Sequence, residues 1–214
     1  MKTVGIIGSG NVGKALARGF IELGYKTFIS SRKQDKRDEL ETEFDKKLVA
    51  ETPENVAKQS QLIVLAVKGS SAKDALNEIG IHNLEDKTVI DTTNPIADAA
   101  PENGVLSYFT DINKSLMEEL QEMAPKANFV KAFNSVGSLH MVHPQFDHTP
   151  TMFICGKDEA AKKEVKALLE KFGWETADMG KIEAARAIEP LAILWCIPGF
   201  ESNSWNHAFK LLKK

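Results

Sequence analysis

Gly8-Ser9-Gly10-Asn11-Val12-Gly13 reads G-x-G-x-x-G. The stretch lies between a short apolar run, Thr3 to Ile7, and a segment of helical periodicity, Lys14 to Leu23. In that context the spacing has chemical meaning. Gly8 permits a tight turn, Gly10 lets backbone approach a pyrophosphate, and Gly13 lets a helix pack close to a sheet. Ser9, Asn11 and Val12 complete a loop whose N–H groups, with the positive end of the helix, would meet the anion. The G-x-x-x-x-G-K-[ST] pattern is absent. The loop therefore reads as a dinucleotide site, with an ordinary glycine turn as the competing explanation.

The next strand-like run, Thr27 to Ile29, ends in Ser30-Ser31-Arg32-Lys33. A site for NAD(H) usually carries a carboxylate there, to accept from the ribose hydroxyls. Here the nearest acid, Asp35, sits among Lys33, Lys36 and Arg37. A guanidinium fork suits the charge and shape of a 2′-phosphate. Arg32 is expected to meet that phosphate, with Ser31 donating a hydroxyl, Lys36 reaching from the first turn of the following helix, and Ser9 adding a contact. NADP(H) is thus favoured over NAD(H). A fully charge-assisted bond from Arg32 would be worth roughly 1.5 to 3 kcal/mol.

Ligands on such a sheet lie beyond the C-terminal ends of its strands. Val67-Lys68 and Asn94-Pro95 follow two later strands and are expected along the cofactor. Asn134 follows a third and could meet a carboxamide or a substrate oxygen. His140 is the acid–base candidate, although capping a loop would explain it equally. His143 and His148 lie nearby in sequence, but their intervals match no familiar metal site, and none is expected. Glu183, Arg186 and Glu189 are spaced so that they could form one ion-pair face of a helix, with surface support or a subunit contact as the competing explanation. Trp195, Phe200, Trp205 and Phe209 could cover a planar ligand, or form core or an interface.

The rest of the chain supplies elements to position these groups. Alternating strand-like and helical segments predict strands near 48–50, 62–67, 88–91, 129–133, 151–155 and 175–177. Helices are expected near 71–79, 115–123 and 158–172, with Thr52-Pro53 opening a short one. The fold class is α/β: a Rossmann-like, mostly parallel sheet with a small C-terminal helical lobe. The expected division is residues 1–178 for nucleotide binding and 179–214 as a helical tail, read as two helices interrupted at Pro198-Gly199. The tail would serve a substrate or dimer site.

Of the 214 residues, 43% are hydrophobic and 27% charged, with a net charge of -3. That balance fits a soluble globular chain and offers no basic footprint for nucleic acid. No apolar run approaches a membrane span, and the start shows no signal-peptide pattern. Two isolated cysteines make neither a disulfide framework nor a zinc spacing. A cytoplasmic setting is the expectation.

G-I-I-G-S-G-N-V-G, S-S-R-K, D-T-T-N-P and K-A-F-N-S-V-G-S together resemble the NADPH-dependent reductases related to coenzyme F420-dependent NADP oxidoreductases. P-T-M-F-I-C-G-K-D-E-A-A-K and E-A-A-R-A-I-E-P-L-A-I-L-W extend the resemblance along nearly the whole chain. It implies hydride transfer between NADPH and a deazaflavin of the F420 type or a flavin, commonly in a homodimer. It also implies 2′-phosphate contacts from Ser9, Ser31, Arg32 and Lys36. Two other functions remain open from the residues: reduction of a small carbonyl or imine, which needs a proton donor, and NADPH sensing without turnover.

Overall fold

The structure is a computed structural model describing residues 2–213. Its strands are β1 (Thr3–Ile7), β2 (Lys26–Ser30), β3 (Leu48–Glu51), β4 (Leu62–Leu65), β5 (Thr88–Asp91), β6 (Asn128–Lys131), β7 (Thr151–Gly156) and β8 (Glu175–Asp178). They form one eight-stranded sheet in the order β3-β2-β1-β4-β5-β6-β7-β8. Neighbours are parallel except at β6–β7, which pair antiparallel. The helices are α1 (Asn11–Glu22), α2 (Gln34–Glu43), α3 (Pro53–Gln59), α4 (Ala72–Ile79), α5 (Leu116–Met123), α6 (Glu159–Lys171), α7 (Ala185–Ile188) and α8 (Leu191–Ser202).

Helix starts follow from local chemistry. Thr52, Ser115 and Asp158 each accept a hydrogen bond at the N-terminus of α3, α5 and α6, and Pro53 fills the first position of α3. Helix α1 differs: Gly10 stands at its N-cap, without a side-chain cap bond and without an acid in the first turn. Its first N–H groups are left to another acceptor.

The central strands bury both faces: β4 and β5 are buried at every position. One face packs Leu16 and Phe20 of α1 with Val165 of α6 and the adjoining Phe172. Phe20 and Phe172 meet edge to face at 5.3 Å. The other face packs Val56 of α3, Leu76 of α4 and Met117 of α5. Each large apolar side chain buried this way contributes about 1.5 to 3 kcal/mol. The layers hold the C-terminal ends of β1 to β6, which are mutually parallel, and the loops leaving them, at one edge of the sheet.

The tail departs from the sequence reading. Pro198 does not interrupt it: α8 runs through to Ser202. No second helix follows among the described residues; the chain turns back without regular secondary structure. Two contacts explain the return. Trp195 Nε1 donates to His207 O at 2.9 Å, and the His207 ring meets Trp195 O at 2.8 Å. Gly199 lies against Trp205, where a Cβ would come 2.3 Å from the ring. The segment then docks on β7, with Thr151 N donating to Phe209 O at 2.8 Å. The loss of one backbone bond at Pro198 is set against these tertiary contacts. Glu183, Arg186 and Glu189 form no ion-pair face among themselves. Arg186 pairs with Glu118 of α5, while Glu189 turns into the core.

Candidate active site

The loop after β1 is tied down at both ends. Gly8 has φ +113° and donates its N–H to Ser30 Oγ at 3.0 Å. A Cβ on Gly13 would lie 2.1 Å from Gly8 O, so only glycine allows the helix this close. A Cβ on Gly10 would meet nothing within 4 Å. That open space faces the uncapped start of α1, which is the fit a pyrophosphate requires.

A cleft of about 670 Å³ opens there. Its walls include Gly8, Ser9, Gly10, Asn11, Val12, Arg32, Val67, Lys68 and Asn94, and it continues past Thr92 and Thr93 to Ile96 and Asp98. A second cavity of about 330 Å³ adjoins it, sharing Gly8, Ser9, Arg32 and Val67. Its walls also include Ser30, Ser31, Lys33, Pro53, Ala75 and Glu78. Arg37 braces this rim, donating from Nη1 to the carbonyls of Ser31 and Arg32 at 2.9 and 3.1 Å.

Five sequence candidates fall outside both cavities. Gly13 acts through packing alone. Lys36 lies in the first turn of α2 as expected, but its ammonium pairs with Glu39 at 2.7 Å. Pro95 stands behind the rim, its carbonyl accepting from Phe109 N at 2.9 Å. Asn134 is buried and committed to structure. Its Nδ2 donates to Asn94 Oδ1 at 3.1 Å and to Ile188 O at 2.9 Å, while Asn94 Nδ2 donates to Asn134 O at 2.7 Å. It supports the Asn94 loop rather than facing the cleft. His140 packs against Phe146 with the rings tilted at 44°, centres 4.8 Å apart, in a different loop. His143 pairs with Glu22 at 3.2 Å. The aromatic residues of the tail cluster on one another, with Trp195–Trp205 at 5.6 Å and Phe200–Trp205 at 5.4 Å.

Sequence reasoning missed the group that holds the cleft floor. Lys131, fully buried, meets Asp91 Oδ2 at 2.7 Å and Glu189 Oε1 at 2.8 Å. It also donates to Thr93 O at 2.9 Å. Asp91 Oδ1 accepts from Thr93 N and Oγ1 at 2.9 and 2.7 Å. Glu189 accepts from the N–H groups of Leu116 and Met117, both at 3.0 Å, at the start of α5. Burial alone would lower the ammonium's pKa, but the two carboxylates outweigh it and hold the pKa above the ordinary lysine value. Burial, reinforced by Glu189, pushes the Tyr108 phenol up and keeps it neutral. Its hydroxyl donates to Glu189 O at 2.6 Å. In the sequence these are three charged residues at strand or helix ends, lying within D-T-T-N-P, K-A-F-N-S-V-G-S and E-A-A-R-A-I-E-P-L-A-I-L-W, and nothing there pairs them.

Residues 3–95 match the family model described as NADP oxidoreductase coenzyme F420-dependent. The chain is 25% identical over 206 residues to the F420-dependent NADP reductase of Methanocaldococcus jannaschii, covering 91% of this chain and 90% of that one. It is 27% identical over 201 residues to Metalloreductase STEAP3 of Rattus norvegicus, covering 91% of this chain but 38% of the relative. The chain thus spans little more than a third of that relative's length. A crystal structure of a provisionally assigned F420-dependent NADP-reductase from Arthrobacter sp. FB24 superposes with TM-score 0.92 at 27% identity, covering 100% of both chains. An imine reductase from Myxococcus stipitatus in complex with NADP+ shares the fold at TM-score 0.66 and 18% identity, over 92% of this chain and 62% of its own. The chain has the NADP(H)-dependent oxidoreductase fold of the coenzyme F420-dependent family, with that family's sequence pattern over residues 3–95.

Proposed function

We propose that the larger cleft and its adjoining cavity hold NADP(H), and that the enzyme passes hydride between its nicotinamide and a flavin-like or deazaflavin acceptor. The chain is an NADP(H)-dependent oxidoreductase by fold and relationship; the acceptor is the proposed part. The observation that carries the cofactor reading is the continuity from the open space at Gly10 to the basic rim at Arg32 and Lys33. The acceptor reading is supported by likeness along the whole chain to the Methanocaldococcus and Arthrobacter proteins. The cleft also extends beyond Asn94 to Ile96 and Asp98, leaving room past the nicotinamide end.

In this reading the α1 N-terminus holds the pyrophosphate, and Ser31 and Arg32 read the 2′-phosphate. The loops bearing Val67, Lys68 and Asn94 direct the nicotinamide toward the acceptor. The nicotinamide supplies the hydride chemistry. The protein's task is to align donor and acceptor atoms about 3 to 3.5 Å apart and to exclude water. The Asp91–Lys131–Glu189 group holds Thr93 in place on the cleft floor. Residues 1–178 would bind the nucleotide and 179–214 would shape the acceptor or dimer side. A homodimer and a cytoplasmic setting belong to the same proposal.

Reduction of an imine or carbonyl is the second reading. It is favoured by Asp98 and Lys68, titratable groups on the cleft wall that could donate a proton. The deciding measurement is NADPH oxidation with F420, FMN, FAD, or a ketone–amine pair. Turnover with F420 or a flavin whose kcat at saturating NADPH is kept in Asp98→Asn and Lys68→Met, whatever Lys68→Met does to NADPH affinity, supports the first reading. Turnover only with the ketone–amine pair, lost in one of those variants, replaces it. For the cofactor, Arg32→Ala is expected to weaken NADPH binding by about 1 to 1.5 kcal/mol and to leave NADH nearly unchanged, by calorimetry. Equal losses for both would remove Arg32 as the phosphate reader.

A further inference from the structure

The guanidinium of Arg32 is already engaged. Its Nε donates to Glu78 Oε2 at 2.9 Å, and Nη2 meets Glu78 Oε1 at 2.7 Å. Arg32 follows β2 and Glu78 lies in the last turn of α4, so the pair joins opposite walls of the smaller cavity. The contact uses two parallel N–H···O bonds, the geometry by which a guanidinium also takes phosphate. Nothing local recommends an acid at Glu78. The C-terminal end of a helix disfavours negative charge, and α4 has no basic residue in its last turn. What the carboxylate gains there is Arg32.

We propose that Glu78 is the resident counter-ion of Arg32: its carboxylate occupies the guanidinium in the free protein and is displaced by the 2′-phosphate of the incoming nucleotide. The inference rests on the NADP(H) reading of this cavity. One charge-assisted partner is exchanged for another, so no cation is left unpaired in either state. A 2′-hydroxyl carries no charge with which to make the exchange, and a nucleotide bearing one leaves the ion pair closed. When product leaves, Glu78 retakes Arg32. Its effect therefore falls mainly on dissociation, where most affinity differences between related complexes arise. Both side chains are substantially exposed, at 67% and 38%. The competition is accordingly modest, near the upper end for a surface pair, about fivefold.

The test is Glu78→Gln, studied by calorimetry and stopped-flow with NADPH, NADH, and adenosine phosphorylated at its 2′ and 5′ positions. The variant is expected to bind NADPH and the bisphosphate about fivefold tighter, mainly through slower release, and to bind NADH unchanged. The gain should vanish in the Arg32→Ala background. A melting curve on each variant separates binding from folding. Weaker or unchanged NADPH binding in Glu78→Gln, or an equal gain for NADH, overturns the proposal. If the unaltered protein shows no preference for NADPH over NADH, the cofactor reading itself fails and the inference falls with it. A retained preference with no gain in Glu78→Gln removes only the inference.

Discussion

Gly10 and Gly13 carry the same letter in the motif but fail in different ways. At Gly10 the backbone has φ -78° and a Cβ meets nothing, so alanine fits the free protein. The space it would fill is the space proposed for the pyrophosphate. Gly10→Ala is expected to change stability by less than about 0.5 kcal/mol. Calorimetry should show NADPH binding weakened by about tenfold or more, because a methyl cannot share that space. Full affinity in the variant would place the pyrophosphate elsewhere. At Gly13 a Cβ collides with the carbonyl of Gly8, so the same substitution would damage the fold before it reports on binding. A residue that is open in the free protein makes the cleaner probe.

Helix α5 shows how an element is held at the site's edge. Ser115 and Glu118 form a reciprocal capping box, and Glu118 reaches on to Arg186, whose Nε donates at 2.9 Å. Burial would raise the Glu118 pKa. The hydrogen bond from Arg186 and those from Ser115 outweigh it and hold the carboxyl at about 2, below its ordinary 4.5. The folded pKa is depressed, so the stabilisation is complete above the unfolded value of 4.5 and is lost as pH falls through about 2. Arg186→Ala is expected to lower stability near neutral pH and to flatten its decline across that acid window. Urea unfolding at a series of pH values checks this; an unchanged slope would assign the acid sensitivity to other carboxylates.

Across the whole molecule, Asp91, Lys131 and Glu189 join the ends of β5 and β6 to the tail and the start of α5. None of these side chains is more than 2% exposed. Lys131→Met would leave two carboxylates buried without their cation. The expected loss is about 3 to 5 kcal/mol in denaturant unfolding. A loss below about 1 kcal/mol would mean that the carboxylates find other partners or take up protons on folding. Because the same ammonium donates to Thr93 O, the tail and the cleft floor share a support. A weakened tail should therefore also loosen the floor.

The sequence by itself determined whatever depends on neighbours along the chain. The alternation of elements, the cap at Thr52, the glycine turn and the placement of Ser31-Arg32 at the end of β2 were legible because each is set within a few residues. Only the tertiary structure decided the partners. Arg32 and Glu78 are separated by 46 residues, and Asn94 and Asn134 by 40. In sequence, nothing links Lys131 to Glu189, and Pro198 looks like a helix break. Burial pairs the first two through the core, and the packing of Trp195, Gly199 and Trp205 carries the helix past the proline. Local propensity is worth tenths of a kcal/mol to a few kcal/mol per residue. A buried charge left unpaired, or a packed aromatic face left open, costs as much or more. Where the two conflict, long-range contacts decide, and no local window of residues displays them.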